Sequence, residues 1–138
     1  MIVIRNKLIP VEGFGAMNIL GLLFVREEHN LTDTTYRHEA IHTQQQYELL
    51  VVAALLSLLA CNIWASWWYL LGTILLPLAV YVLAWLVELA LPPYKTAYKD
   101  SPFEREAYAN QGNPEYLARR HFFAWVRYIL SWDERGVA

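Results

Sequence analysis

Residues 38 to 42 read His-Glu-Ala-Ile-His. On an α-helix, His38 and His42 stand four residues apart, so both imidazoles project from one face. Two neutral imidazoles at that spacing fill two corners of a tetrahedral zinc shell. Glu39 follows about 100° around the helix, where it can take a proton from an attacking water without being a ligand itself. H-E-x-x-H is the signature of zinc-dependent peptide hydrolysis. A catalytic zinc usually takes three protein ligands and keeps one open position. The remaining histidines are His29 and His121, and the single cysteine, Cys61, lies inside an apolar run that does not suit a thiolate. The segment Ser101-Pro-Phe-Glu-Arg-Glu-Ala-Tyr108 supplies two helical carboxylates, Glu104 and Glu106. They point about 200° apart, so only one can face the ion. Ser101, Pro102 and Glu104 also fit a capping box, which would occupy Glu104 and leave Glu106 as the alternative ligand.

The pentad followed by a helical glutamate in an E-x-E-A setting resembles the gluzincin branch of metallopeptidases. In that branch the third ligand is a glutamate on a later helix. Membrane-bound members such as the CAAX-type prenyl proteases carry it in E-x-x-A-D. On that pattern Glu104 takes the ligand's place. Tyr108 stands where the acid would be, a phenol in place of an anion. The resemblance covers the pentad and residues 101–108. It implies a Zn2+-dependent peptidase with His38, His42 and Glu104 as ligands and Glu39 as the base. Arg105, Tyr108 or His121 would stabilise the developing oxyanion.

The elements that must position these residues belong to a membrane protein. Of 138 residues, 57% are hydrophobic and 17% charged, too apolar for an ordinary soluble domain of this size. Between Leu49 and Leu91 the only charged residue is Glu88. A crossing needs about 20 apolar residues, so this run holds two. The break between them is expected at residues 61–68, where Asn62 and Ser66 are polar and Trp64, Trp67 and Trp68 suit an interface. Pro77 falls within the second crossing, where a kink is tolerable. Glu88 is expected near the same boundary as Glu48, as an interfacial residue or else beside the metal ligands.

The expected fold is mainly α: one membrane domain over residues 1–138, built as an integral-membrane helical hairpin with a small cytoplasmic zincin-like metal site. Residues 1–33 form short strands and loops, with 2–4 and 19–25 read as short strands or as an interfacial segment covering the site. A metal helix at 34–62 starts at Asp33, Thr34 or Thr35 as cap and runs into the first crossing, since nothing between Tyr36 and Leu59 breaks a helix. Gln44, Gln45, Gln46 and Glu48 form a polar collar before the apolar run. The second crossing is 67–91. Helices over 101–132 bring the third ligand, the last of them (114–132) presenting Leu117, His121, Trp125 and Tyr128 on one amphipathic face.

All 11 Lys and Arg residues fall outside 47–91, and the hairpin tip has no cation. The positive-inside rule therefore puts both termini and the metal site in the cytoplasm, in a membrane of the bacterial inner type. The apolar stretch begins too late, and without a clear cleavage site, to be a signal peptide. A net charge of −2 gives no field for nucleic acid. One cysteine excludes a disulfide framework within the chain. The partners this implies are the lipid bilayer and a peptide or membrane-protein substrate. Two other classes use the same sequence: a membrane protein that binds zinc for structure or sensing, and a hairpin protein whose pentad binds nothing.

Overall fold

A computed structural model of the chain describes residues 1–10, 15–72, 75, 76, 79 and 101–130. It divides into two compact units, one of residues 1–45 and 101–138 and the other of residues 46–100. Among the described residues the protein is mainly helical, with one small sheet.

The sheet has three strands: β1 (Ile2–Asn6), β2 (Ala16–Ile19) and β3 (Leu22–Arg26), in the order β1-β3-β2. β3 lies in the middle, parallel to β1 and antiparallel to β2. It buries Leu23 and Val25 completely, as alternation along a strand requires when one face meets a core. The expected single strand over 19–25 is therefore two strands and a turn. Ile19 pairs with Leu22, leaving Leu20 and Gly21 as a two-residue loop with φ of 49° and 85°. Positive φ at both loop positions matches the twist of a tight hairpin. Asn18 holds the loop by accepting from the Gly21 N–H at 3.1 Å.

The helix α1 runs unbroken from Asp33 to Trp64, about 48 Å at 1.5 Å per residue. No residue in that span carries the backbone constraints of Pro or Gly. Its cap is Thr32, one residue before the expected candidates. Thr32 Oγ1 accepts from the Thr35 N–H at 3.1 Å, and the Thr32 carbonyl accepts the first helical bond, from Tyr36 N. Asn18 fastens the sheet to this helix by donating to the Glu39 carbonyl and to Thr43 Oγ1.

Beyond the metal pentad, α1 is the one described helix long and apolar enough to cross a membrane. Val51, Leu55, Leu59 and Ile63, four residues apart, form an exposed apolar stripe along it. The helix ends with Ala65 in the left-handed region, φ 49°, and Cys61 Sγ donates to the Ser66 carbonyl across that end. A 3-10 helix follows at Trp67–Leu71, with Trp67 and Trp68 highly exposed. The expected break at 61–68 thus coincides with a helix end. Most of the expected second crossing, with Pro77 and Glu88, lies outside the described residues.

The C-terminal half of the first unit holds α2 (Pro102–Asn110), α3 (Tyr116–Arg119) and α4 (Val126–Leu130). α2 packs on α4 through the Phe103 and Trp125 rings, 4.7 Å apart. Arg105 donates to the Tyr128 carbonyl and Asn110 to the Tyr128 hydroxyl. The single helix expected over 114–132 is broken. Arg120 leaves the helical region at ψ 127°, and Phe123 has φ 57°. Leu117, His121, Trp125 and Tyr128 consequently do not share one helical face.

Replacing Thr32 with Ala should destabilise the folded protein by about 1 kcal/mol, whereas Thr34→Ala should stay within about 0.5 kcal/mol. Denaturant unfolding in detergent, followed by far-ultraviolet circular dichroism, separates the two. Equal effects would contradict the observed cap.

Candidate metal centre

The site begins with two turns of α1. His38 and His42, one above the other on the helix, bring their Nε2 atoms to 3.0 Å. Their rings meet edge to face at 4.7 Å. The third member comes from α2. Ser101 caps that helix by accepting from the Glu104 backbone N–H, and Pro102 starts it. The Glu104 side chain meanwhile reaches both imidazoles: Oε1 lies 3.1 Å from His42 Nε2 and Oε2 lies 3.2 Å from His38 Nε2. Capping and ion-facing roles therefore use different atoms of one residue and do not compete.

His38, His42 and Glu104 are all buried. Together they form a group that could hold a metal ion. Their separations of 3.0–3.2 Å approach the roughly 3.3 Å between ligand atoms that bonds of about 2.0–2.1 Å give in a tetrahedral shell. Two ring nitrogens and a carboxylate converge on one point, away from water, as the ligands of a cation would. The donor set suits zinc and other borderline divalent ions.

Electrostatics agree with the geometry. Burial pushes the Glu39 carboxyl above its usual range; the His42 and His38 imidazoles pull it back in part, and Glu104 raises it further. A carboxylate made more basic in this way suits proton transfer near neutral pH. Burial alone would lower the His42 imidazole, but the hydrogen bond and charge of Glu104 outweigh it, and the net direction is up. Tyr108, one turn beyond Glu104 on α2, sets its ring against His38 at 4.8 Å. Burial, with the charges of Glu104 and Glu39, raises its phenol. It stays protonated at neutral pH and can donate a hydrogen bond.

Glu106 is no metal-facing residue. Fully buried, it accepts from Arg120 at both carboxylate oxygens, from the Tyr116 hydroxyl at 2.8 Å and from Gln45 Nε2 at 3.0 Å. The Arg120 side chain is itself 4% exposed. Burial, and then the bond to Glu106, push the Tyr116 phenol strongly up. This demand on Arg120 accounts for the break after α3: the chain must turn at 120 to keep the guanidinium on Glu106. His121, just beyond, is exposed, and no hydrogen bond or ring contact among the described residues joins it to the metal-facing group. Arg105 is engaged at the Tyr128 carbonyl.

The expected polar collar is largely inward. Gln45, Gln46 and Glu48 are buried and only Gln44 is exposed. Gln45 accepts from His42 Nδ1 across 2.7 Å. The sequence signal for this role was its place three residues after His42, on the same helical face.

No protein family, curated protein or solved structure matches the chain.

The two glutamates of α2 should respond oppositely to substitution. Glu106→Ala leaves Arg120 buried without its anion and should cost about 3–5 kcal/mol. Glu104→Ala should leave a folded protein whose metal uptake falls at least about tenfold. Thermal unfolding and metal analysis of both variants test this; wild-type metal uptake by Glu104→Ala, or wild-type stability of Glu106→Ala, would contradict the assignment.

Proposed function

We propose that the chain is a membrane-embedded zinc metallopeptidase that hydrolyses peptide bonds near the membrane surface. The buried convergence of His38, His42 and Glu104, with Glu39 beside it, carries this reading. Zinc held by these three side chains would supply Lewis acidity toward a carbonyl oxygen and toward water. Glu39, more basic than an ordinary glutamate, accepts the proton of the attacking water and returns it to the leaving amine. Tyr108, protonated and against His38, donates a hydrogen bond to the oxyanion. The ligand and base roles are those the gluzincin resemblance implies; Tyr108 departs from it, standing where that pattern carries an acid.

Membrane embedding is supported by the length and apolarity of α1 and by the apolar run that continues to Leu91. In this reading the run makes two crossings and returns the chain to the side it left. The distribution of Lys and Arg supports a cytoplasmic location for that side. The substrate is then a peptide segment presented at headgroup level, where the N-terminal turns of α1 emerge.

One observation favours a second reading. His38, His42 and Glu104 are each no more than 9% exposed. Such burial also suits a closed site that binds zinc for structure or sensing.

Glu39→Gln distinguishes the two. The peptidase reading expects this variant to keep its zinc and its fold while cleavage of a peptide library falls by about 10²–10⁴-fold. The measurement pairs zinc content with mass-spectrometric detection of cleaved peptides in detergent or nanodiscs. Equal cleavage by wild type and variant would overturn the catalytic assignment. Zinc uptake without cleavage by either would support the non-catalytic site.

A further inference from the structure

We infer that Gln45, anchored by Glu106 and Arg120, presets the tautomer of His42 so that its Nε2 lone pair is the one offered to the metal. The inference rests on the metal-site reading above and extends it to residues outside the ligand set.

The argument starts from which atoms of Gln45 can donate. Its side chain has one nitrogen with two N–H bonds and one oxygen that only accepts. One end of the amide lies 3.0 Å from the Phe103 carbonyl and 3.0 Å from Glu106 Oε2. Both neighbours are acceptors, so this end is the nitrogen. The other end is therefore the oxygen, and it lies 2.7 Å from His42 Nδ1. An acceptor there requires His42 to carry its proton on Nδ1. A neutral His42 then keeps its lone pair on Nε2, the atom that faces His38 and Glu104.

What holds Gln45 in that orientation is the buried carboxylate of Glu106. Arg120 grips both oxygens of Glu106, and Tyr116 donates to one of them. A paired fork of this kind is geometrically exacting. Gln45 and Glu106 are fully buried, so no water competes for these bonds. The chain of contacts runs Arg120 to Glu106 to Gln45 to His42, and the Arg120 and Glu106 charges cancel within it. Flipping the Gln45 amide would set its nitrogen against the His42 proton and its oxygen against two acceptors. The orientation is thus fixed at both ends.

His38 lacks this arrangement. Its Nδ1 is buried with no hydrogen-bond partner among the described residues. The two histidines of the pentad are therefore held differently: His42 Nδ1 meets a buried acceptor and His38 Nδ1 meets none among the described residues. Gln45, Glu106 and Arg120 are positioning residues, acting through His42.

The test uses the full chain in detergent, with Zn2+ as the probe. Gln45→Leu should weaken zinc binding by about 10–100-fold and abolish the slowly exchanging His42 Nδ1–H signal in ¹H–¹⁵N spectra of the histidine rings. The exchange Gln45→Glu with Glu106→Gln keeps an acceptor at His42 and one negative charge in the network. It should restore the Nδ1–H signal and most of the affinity, and it keeps the test open if Gln45→Leu fails to fold. Wild-type zinc affinity and an unchanged His42 signal in a folded Gln45→Leu variant would overturn the inference while leaving the metal site standing. So would a folded exchange variant with no His42 Nδ1–H signal. A wild-type protein that takes up no Zn2+ would instead overturn the metal reading itself, and the inference with it.

Discussion

Two ring nitrogens and a carboxylate meet within about 3 Å of each other in a buried site, an arrangement that could hold a metal ion. Most features of the first unit serve to make that meeting possible. The α-helical repeat aligns His38 with His42. The Ser101 cap and Pro102 start α2 in a register that sends Glu104 toward them. Asn18 ties the sheet to the backbone of Glu39, the residue between the two histidines that borders the site.

A second buried charge pair supports the first. Glu106 and Arg120 draw α2 and the end of α3 together and oblige the chain to turn at residue 120. Buried ion pairs add little net stability compared with an apolar replacement, but losing one partner is costly. Their value here is geometric. The pair fixes Gln45, and Gln45 fixes the imidazole of His42. Two glutamates separated by one residue thus take unlike work, one facing the two imidazoles and the other holding the frame around them.

Much of the site was legible because helical geometry alone aligns His38, Glu39 and His42, and because Ser101-Pro102 marks a helix start. The choice between Glu104 and Glu106 was not legible from spacing, which shows only that they diverge. It is decided by Arg120, 14 residues away from Glu106, through a contact no local pattern encodes. The same contact broke the helix expected over 114–132, where no Gly or Pro marks the turn at Arg120–Phe123. The Leu20–Gly21 hairpin was missed because leucine is an unusual residue at a positive φ, and only the pairing of β2 with β3 imposes it. Gln45 stood at a helical spacing that could have placed it beside His42. Composition suggested instead a residue facing lipid headgroups. The long apolar helix was readable because neither Pro nor Gly interrupts it.

The central claim is that His38, His42 and Glu104 form one metal site, and zinc-edge X-ray absorption of the purified protein, with the bound metal quantified, tests it most directly. The account predicts about one zinc per chain in a shell of two imidazoles with oxygen donors, at about 2.0–2.1 Å, and no zinc in a variant lacking both imidazoles. A wild-type protein without bound zinc after zinc is supplied, or full occupancy in that variant, would contradict it.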